Sequence, residues 1–169
     1  MAIPQRAVAQ QMIDPKVRES LLKTFGDSIT VTRTIIRLSE DERKRISDSA
    51  KSNFRSDTLL LYECRIGQKL AGYGFVDDVK GKMQLITYLV SLTPDGTVQD
   101  VDVLAYRESY GGEIAYESFR KQFQQKTAHD RLRVGKDIKN ISGATISAHA
   151  LTDGVRKLVI AFALLRARL

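Results

Sequence analysis

Three small hydroxyl residues and a glycine directly precede a helical pattern of apolar residues in the segment 141–148. The free amides of a first helical turn point outward and, together with the helix dipole, attract a negative group. Gly143 lets the backbone approach such a group closely, and Ser142, Thr145 and Ser147 offer hydroxyls. The segment therefore suits a phosphate group, although a helix cap without a ligand is a second interpretation of the same residues.

Other site chemistries have less support in the sequence. The two histidines, His129 and His149, do not have the spacing of metal ligands, and the single Cys64 excludes a multi-cysteine metal site. Ser142 lacks the glycine-flanked turn of a serine hydrolase nucleophile. We therefore predict no metal site and no catalytic residue, and we expect Cys64 to be a small core residue.

The charge balance favours an anionic cofactor or partner, because 27 lysines and arginines face 20 acidic residues for a net charge of +7. The basic residues are scattered and are not interleaved with aromatic residues, so we expect no nucleic-acid partner. The longest purely apolar run, at residues 158–165, is far shorter than the ~20 residues that a membrane-spanning helix needs. We predict no transmembrane segment in this chain.

The elements that must position the segment 141–148 follow from capping and turn signals. A first helix is predicted from Asp14, whose side chain can cap free amides, to Gly26. A β-branched strand follows at residues 30–38, and a capping box formed by Ser39 and Glu42 begins a polar helix. Period-2 patterns then predict four strands, at residues 59–64, 69–76, 85–92 and 98–106.

The turn between the last two strands has the sequence Thr-Pro-Asp-Gly at residues 93–96, which predicts a hairpin. Gly111 and Gly112 lead into a helix predicted at residues 113–126, and a last helix is predicted from Ile146 to the carboxyl end. We expect one α+β domain, a twisted antiparallel sheet packed with amino-terminal and carboxyl-terminal helices.

The Ser-Gly-Ala-Thr sequence at residues 142–145 resembles the flavinylation motif of the FMN-binding domain family, which includes the covalent-FMN subunits of the Rnf electron-transport complex and of the sodium-translocating NADH:quinone reductase. The resemblance implies FMN as cofactor, joined through its phosphate to Thr145 by a separate, magnesium-dependent FMN transferase that uses FAD as donor. The other residues that the resemblance places near the phosphate end of FMN are Ser142, Gly143, Ala144, Ile146 and Ser147.

A second block, residues 106–113, is similar to the family's Glu-containing, glycine-rich turn, which reads closer to Glu-Thr-Pro-Gly-Leu-Gly in the subunits named above. Tyr110 stands here in place of the proline. The resemblance implies that Glu108, Tyr110, Gly111 and Gly112 line the flavin ring or its ribityl chain. The glycine-aromatic strand at residues 72–75 and Lys126, which closes the helix after the turn, also match, so the resemblance covers about residues 59–158.

The sequence departs from the family where an acidic residue usually stands three or four positions before the motif serine. Lys139 and Ile138 occupy those positions, and the nearest acid, Asp137, lies five before Ser142. We expect a loop that is longer by one residue to present Asp137 in the same role.

The resemblance implies an electron carrier that works with redox partner proteins or a membrane electron-transfer complex, because the chemistry belongs to the flavin. Cations near the ring would favour its anionic reduced states, and Arg107, Lys126 and Lys139 are the candidates. Two alternatives remain open: an FMN-dependent reductase that binds its cofactor non-covalently, and a flavin-free interaction module on the same fold.

The amino terminus suggests export. The sequence Ala-Val-Ala at residues 7–9, followed by two glutamines, is typical of the end of a secretory signal, so we expect an extracytoplasmic protein, periplasmic or at the cell surface, whose mature chain starts near Gln10. A flexible tail is the alternative. We divide the chain into a tail or signal-peptide remnant at 1–13, a helical extension with one strand at 14–57, and the FMN-binding domain at 58–169.

Overall fold

The fold is built around one antiparallel sheet, and the computed structural model describes residues 12–169. The segment proposed as the end of a signal peptide, residues 7–9, lies outside the described residues. The strands are β1 Thr30–Arg37, β2 Thr58–Ile66, β3 Lys69–Lys80, β4 Leu85–Leu92 and β5 Val98–Tyr106. The helices are α1 Pro15–Phe25, α2 Glu40–Ala50, α3 Glu117–Arg120 and α4 Thr145–Leu165, with 3₁₀ turns at Gly112–Ala115, Lys121–Phe123 and Arg166–Arg168.

The five strands pair in sequence order, each antiparallel to the next, and this confirms the predicted α+β class. β1, which belongs to the predicted amino-terminal extension, forms an edge of the same sheet by pairing with β2. The predicted hairpin joins β4 to β5. The amide of Gly96 donates to the Thr93 carbonyl at 3.0 Å, and Gly96 has a φ of 94°, which side chains disfavour.

Helices α2 and α4 cover one face of the sheet and form the larger core with it. Phe162 of α4 packs against the rings of Tyr73 and Phe75, with centroids 5.3 and 6.2 Å away. The predicted apolar positions of α4 are all buried: Leu151, Val155, Leu158, Val159 and Phe162. The 3.6-residue period therefore identified the face of α4 that contacts the sheet.

Helix α1 packs against the opposite face, where Leu21 contacts a smaller core around Tyr62, Cys64 and Leu89. Cys64 is fully buried, which confirms it as a core residue. Burial, with the charge of Glu63, raises the pKa of its thiol to about 12. The glycines of the 72–75 strand pattern have a packing reason. A Cβ on Gly72 would lie 2.5 Å from the ring of Phe25 in α1, so only glycine allows this close approach.

The helix predicted at residues 113–126 is broken into two 3₁₀ turns and the single turn of α3. Ile114, Phe119 and Phe123 are all buried, as predicted, but positions 114 and 119 would lie about 140° apart around a regular helix. Extended backbone at Tyr116, with φ −65° and ψ 139°, resets the helical phase. The break lets both apolar side chains enter the core.

The loop before α4 is held by a buried arginine. The guanidinium of Arg156 donates to the carbonyls of Ala50, at the end of α2, and of Leu132, in the loop, at 3.0 and 2.9 Å. Arg156 also pairs with Asp153 at 2.8 Å. These contacts fix α4 relative to α2 and to the loop, and thereby fix the place where α4 begins. No helix in residues 12–169 combines the length and apolar character needed to cross a membrane.

Candidate functional site

Helix α4 begins at Thr145, after a glycine in the left-handed region. Gly143 has a φ of 84°, and Ala144 occupies the N-cap position without a side-chain hydrogen bond to the first-turn amides. The interpretation of this cluster as a side-chain helix cap therefore fails for α4. The amides of the first turn face outward without an acceptor from the cap residue, which is the arrangement that suits a phosphate.

The Thr145 side chain is exposed and its hydroxyl accepts a hydrogen bond from Nδ2 of Asn140 at 3.1 Å. The backbone next to Asn140 is held in turn by Gln122. Its Oε1 accepts from the amide of Lys139 at 2.7 Å, and its Nε2 donates to the carbonyl of Lys139 at 3.3 Å. Sequence reasoning missed Asn140 and Gln122, because no local signal places either residue beside Thr145.

A cleft of about 740 Å³ lies between the start of α4 and the sheet edge. Its three walls are the β3–β4 turn, the segment after β5 and the first turn of α4. The residues that line it are Lys82, Met83, Gln84, Arg107, Glu108, Ser109, Tyr110, Gly111, Gly143, Ala144, Thr145, Ile146 and Ser147. The two sequence blocks that resemble the flavin family thus meet at one cleft, where Gly111 and Thr145, 34 residues apart in the chain, are both lining residues.

A hydrogen-bonded tyrosine joins two walls of the cleft. The hydroxyl of Tyr106, the last residue of β5, bonds to Oγ of Ser147 at 2.9 Å and donates to the carbonyl of Tyr110. Gly111 has a φ of 88°, and a Cβ there would lie 2.7 Å from the Tyr106 hydroxyl and 3.1 Å from Oγ of Ser147. Glycine is therefore required at position 111, and the buried Ser147 hydroxyl serves this junction.

Glu108 holds in place the wall of the cleft that is formed by the β3–β4 turn. Its Oε1 accepts hydrogen bonds from the amides of Met83 and Gln84 at 2.7 and 3.0 Å. These bonds, with that of Gln84 the larger contribution, lower the pKa of Glu108 and keep it ionised. The carboxylate thus closes the β3–β4 turn against the segment after β5, which is a positioning role at the cleft.

The exposed surface of the cleft suits a flat aromatic ring with a phosphate tail. The side chains of Met83, Tyr110 and Ile146 are exposed by 73%, 87% and 53%, and all three line the cleft. Lys82 and Arg107 supply positive charge on the same surface. An apolar surface beside cations and outward-facing amides fits FMN, so these residues could hold it.

Several predicted site residues lie outside this lining. Ser142 and Gly112 adjoin the cleft in sequence without lining it, and Lys126 pairs with Asp137 at 3.5 Å. The carboxylate of Asp137 accepts from the amides of Leu132 and Arg133 at 3.0 and 2.9 Å. Burial alone would raise its pKa, but these amides lower it. Asp137 therefore shapes its own loop, and it is not among the residues that line the cleft.

A larger cleft, of about 900 Å³, lies on the α1 face of the sheet. Arg107 lines this cleft as well, but none of the predicted cofactor-binding residues lies there. Size therefore does not identify the functional site. The convergence of Thr145, the uncapped first turn of α4 and the glycine-rich turn identifies the smaller cleft.

Comparisons with known proteins agree with this choice. A family model described as the FMN-binding domain matches residues 81–160, a range that contains every residue lining the smaller cleft. The chain is 34% identical over 125 residues to one component of the proton-translocating ferredoxin:NAD(+) oxidoreductase complex of Clostridium ljungdahlii, and the match spans 69% of this chain and 67% of that protein.

The fold is similar to that of NqrC from Shewanella oneidensis, known from a crystal structure. The two structures align with a TM-score of 0.60 over 89% of this chain and 86% of that one. The sequence identity is 18%, so this likeness concerns the fold.

Proposed function

The chain belongs to the FMN-binding domain family, with FMN as its cofactor, and from that premise we propose that it is an electron carrier with FMN bonded through its phosphate to Thr145. The observation that carries the proposal is the exposed Thr145 hydroxyl at the first turn of α4, on the wall of the cleft. A phosphate bonded there would lie at the outward-facing amides of that turn, with the rest of the cofactor toward Tyr110 and Met83.

The proposed attachment is a phosphoryl-group transfer onto Thr145. Oγ1 of Thr145 attacks the FMN phosphorus of FAD, one new P–O bond forms, and the pyrophosphate bond breaks with its electron pair leaving on AMP. The hydroxyl proton passes to a base of the FMN transferase. Asn140 donates to Oγ1 and so leaves the hydroxyl hydrogen free to point away from the loop.

The residues of this chain then bind and orient the cofactor. Bound FMN supplies reversible electron transfer. The first turn of α4 would hold the negative phosphate, Tyr110 and Ile146 would cover apolar ring surface, and Lys82 and Arg107 would supply positive charge. None of these roles requires the protein to transfer a proton to a substrate, which supports a carrier over a self-sufficient enzyme.

We also propose that the protein passes electrons to or from partner proteins, as part of a membrane electron-transfer complex or beside one. The name of the Clostridium relative supports this, because that protein is a subunit of an oxidoreductase complex. An extracytoplasmic location is part of the proposal and rests on the Ala-Val-Ala sequence at residues 7–9. A covalent tether would keep the flavin from being lost where free FMN is scarce.

The decisive experiment is an intact-protein mass spectrum of the chain produced with and without an FMN transferase. We expect the mass to increase by one FMN minus one water only when the transferase is present, together with a fluorescent band on a denaturing gel. A yellow protein that releases its flavin on acid precipitation would instead support a non-covalent FMN reductase. A colourless protein of bare polypeptide mass would support the interaction module.

A further inference from the structure

Arg107 follows directly after β5 and lines both the flavin cleft and the larger cleft on the α1 face. Its Nη1 donates to the carbonyl of Leu85 at 3.3 Å and to Oγ1 of Thr87 at 3.2 Å. The Thr87 hydroxyl donates in turn to Oδ1 of Asp78 at 2.5 Å. Asp78 in β3 and Thr87 in β4 are direct cross-strand partners, so the regular sheet places this chain of hydrogen bonds.

The other cations suggested by the sequence lie elsewhere. Lys126 forms an ion pair with Asp137, and neither Lys126 nor Lys139 lines the cleft. Lys82 does line it, but it belongs to the exposed turn between β3 and β4. The Glu108 carboxylate is directed at the amides of Met83 and Gln84. Of the cations that line the cleft, Arg107 is therefore the one whose side chain is held by hydrogen bonds to strand residues.

A guanidinium stays protonated at all working pH values, so its charge acts on a neighbouring group permanently. A nearby positive charge stabilises the anionic reduced form of a flavin relative to the neutral oxidised form, which raises the redox potential. The hydrogen bonds to Leu85 and Thr87 would keep the guanidinium at a constant distance from a ring bound in the cleft. Because Arg107 is exposed, salt should weaken the effect.

We propose that Arg107 raises the redox potential of the bound flavin, and that Thr87, braced by Asp78, is the positioning residue that holds its charge at the boundary between the flavin cleft and the larger cleft on the α1 face. This inference rests on the proposed place of FMN in the cleft and does not require the covalent bond. It assigns a function to a polar pair, Asp78 and Thr87, that does not itself line the flavin cleft.

The first test is a redox titration of flavin-loaded Arg107→Gln protein at low ionic strength. We expect the equilibrium constant for reduction to fall about tenfold, which is about 30 mV for a two-electron couple. The matched control is Arg166→Gln, an equal charge change just past the far end of α4, about 30 Å along the helix from Thr145. The control should leave the potential unchanged. An unchanged potential in Arg107→Gln, or an equal shift in both variants, would overturn the proposal.

The second test separates positioning from charge. Thr87→Val keeps the shape and the β propensity of the strand but removes both hydroxyl bonds, so the potential should fall part of the way. Thr87→Ser should restore the wild-type value. In the double variant Arg107→Gln/Thr87→Val the potential should equal that of Arg107→Gln alone, because Thr87 acts through Arg107. Additive shifts would contradict the positioning role.

The flavin content of each sample separates a failure of the proposed function from a failure of the inference about Arg107. Wild-type protein that carries no flavin after exposure to FMN, and to FAD with the transferase, would contradict the proposed function. Protein with the flavin absorption spectrum and the same potential in Arg107→Gln would contradict only the inference about Arg107. The titration applies equally to covalent and to non-covalent FMN, so the mode of attachment does not affect the result.

Discussion

The two halves of helix α4 differ in how they are supported. In the second half, from Leu151 onward, Phe162 packs on the sheet and Arg156 is bonded to α2 and to the preceding loop. In the first turn, Thr145 and Ile146 are exposed and the N-cap residue contributes no side-chain bond. The contacts of the buried half therefore fix the helix in place, and the first turn can keep its amides and the Thr145 hydroxyl available for a ligand.

The largest expected effect separates function from stability in the first turn. Thr145→Ala should abolish the covalent flavin completely, because the acceptor oxygen is removed. The free energy of unfolding should change by less than about 1 kcal/mol, since the residue is exposed and alanine is a better helix former. A fluorescent gel band and urea unfolding measure the two quantities.

Ser142→Ala is the matched control for that change and should keep the fluorescent band. A band that persists in Thr145→Ala would move the attachment to another hydroxyl and would contradict our assignment of the acceptor.

A substitution in the buried half of α4 should have the opposite result, a loss of stability with flavin attachment retained. Phe162→Ala should lower the free energy of unfolding by about 3–5 kcal/mol, because it leaves a cavity beside Tyr73 and Phe75. The fraction that remains folded should still accept flavin at Thr145. Ala163→Ser, at the exposed neighbouring position, should leave stability within about 0.5 kcal/mol of wild type. Equal losses in both variants, measured by urea unfolding, would mean that α4 is not held by this face.

A smaller loss is expected at Gly154, where α4 packs tightly against residues of β3 and β4. A Cβ there would lie 2.5 Å from the Tyr88 hydroxyl and 2.6 Å from Cγ1 of Val79. Overpacking should outweigh the better helix propensity of alanine, so Gly154→Ala should lose about 1–2 kcal/mol in urea unfolding. In a Tyr88→Phe background the same change should be less harmful. Simple additivity of the two changes would argue against this contact.

The hydrogen bonds that join the glycine-rich turn to the first turn of α4 can be removed without unfolding the protein. Tyr106→Phe removes the bonds to Ser147 and to the Tyr110 carbonyl, at a loss of about 1 kcal/mol in stability. We expect slower flavin loading by the transferase, because the turn and the first turn of α4 are no longer joined. Tyr116→Phe, on an exposed side chain, should change neither quantity. Loading at the wild-type rate in Tyr106→Phe would contradict the role of this junction.

The smallest effect concerns the pH dependence of stability and Asp77 in β3. Burial raises the pKa of Asp77, more than the amide of Asp78 and the charge of Lys157 lower it. The folded state therefore holds this proton more tightly than the unfolded chain, and the stability it adds below about pH 3.8 is lost as the pH rises through the folded pKa. Urea unfolding of Asp77→Asn should show a smaller loss over that interval. Exposed Asp48→Asn should behave like wild type.

Much of the fold and of the site followed from local sequence signals. Ser39 and Glu42 form the predicted capping box, Gly96 closes the predicted hairpin, and the buried positions of α4 match the apolar period. The sequence also located Thr145 at a helix start and identified the family, because a motif at a fixed spacing depends on neighbouring residues alone.

Contacts between distant segments decided the rest. The break near Tyr116, the use of Asp137 in its own loop, the bond from Asn140 to Thr145 and the choice of Arg107 among three candidate cations all depend on which segments the sheet and α4 bring together. A side chain's hydrogen-bond partner is set by the packed backbone around it. The chain by itself therefore determined which residues could bind a flavin phosphate, and the tertiary structure determined which of them share one cleft.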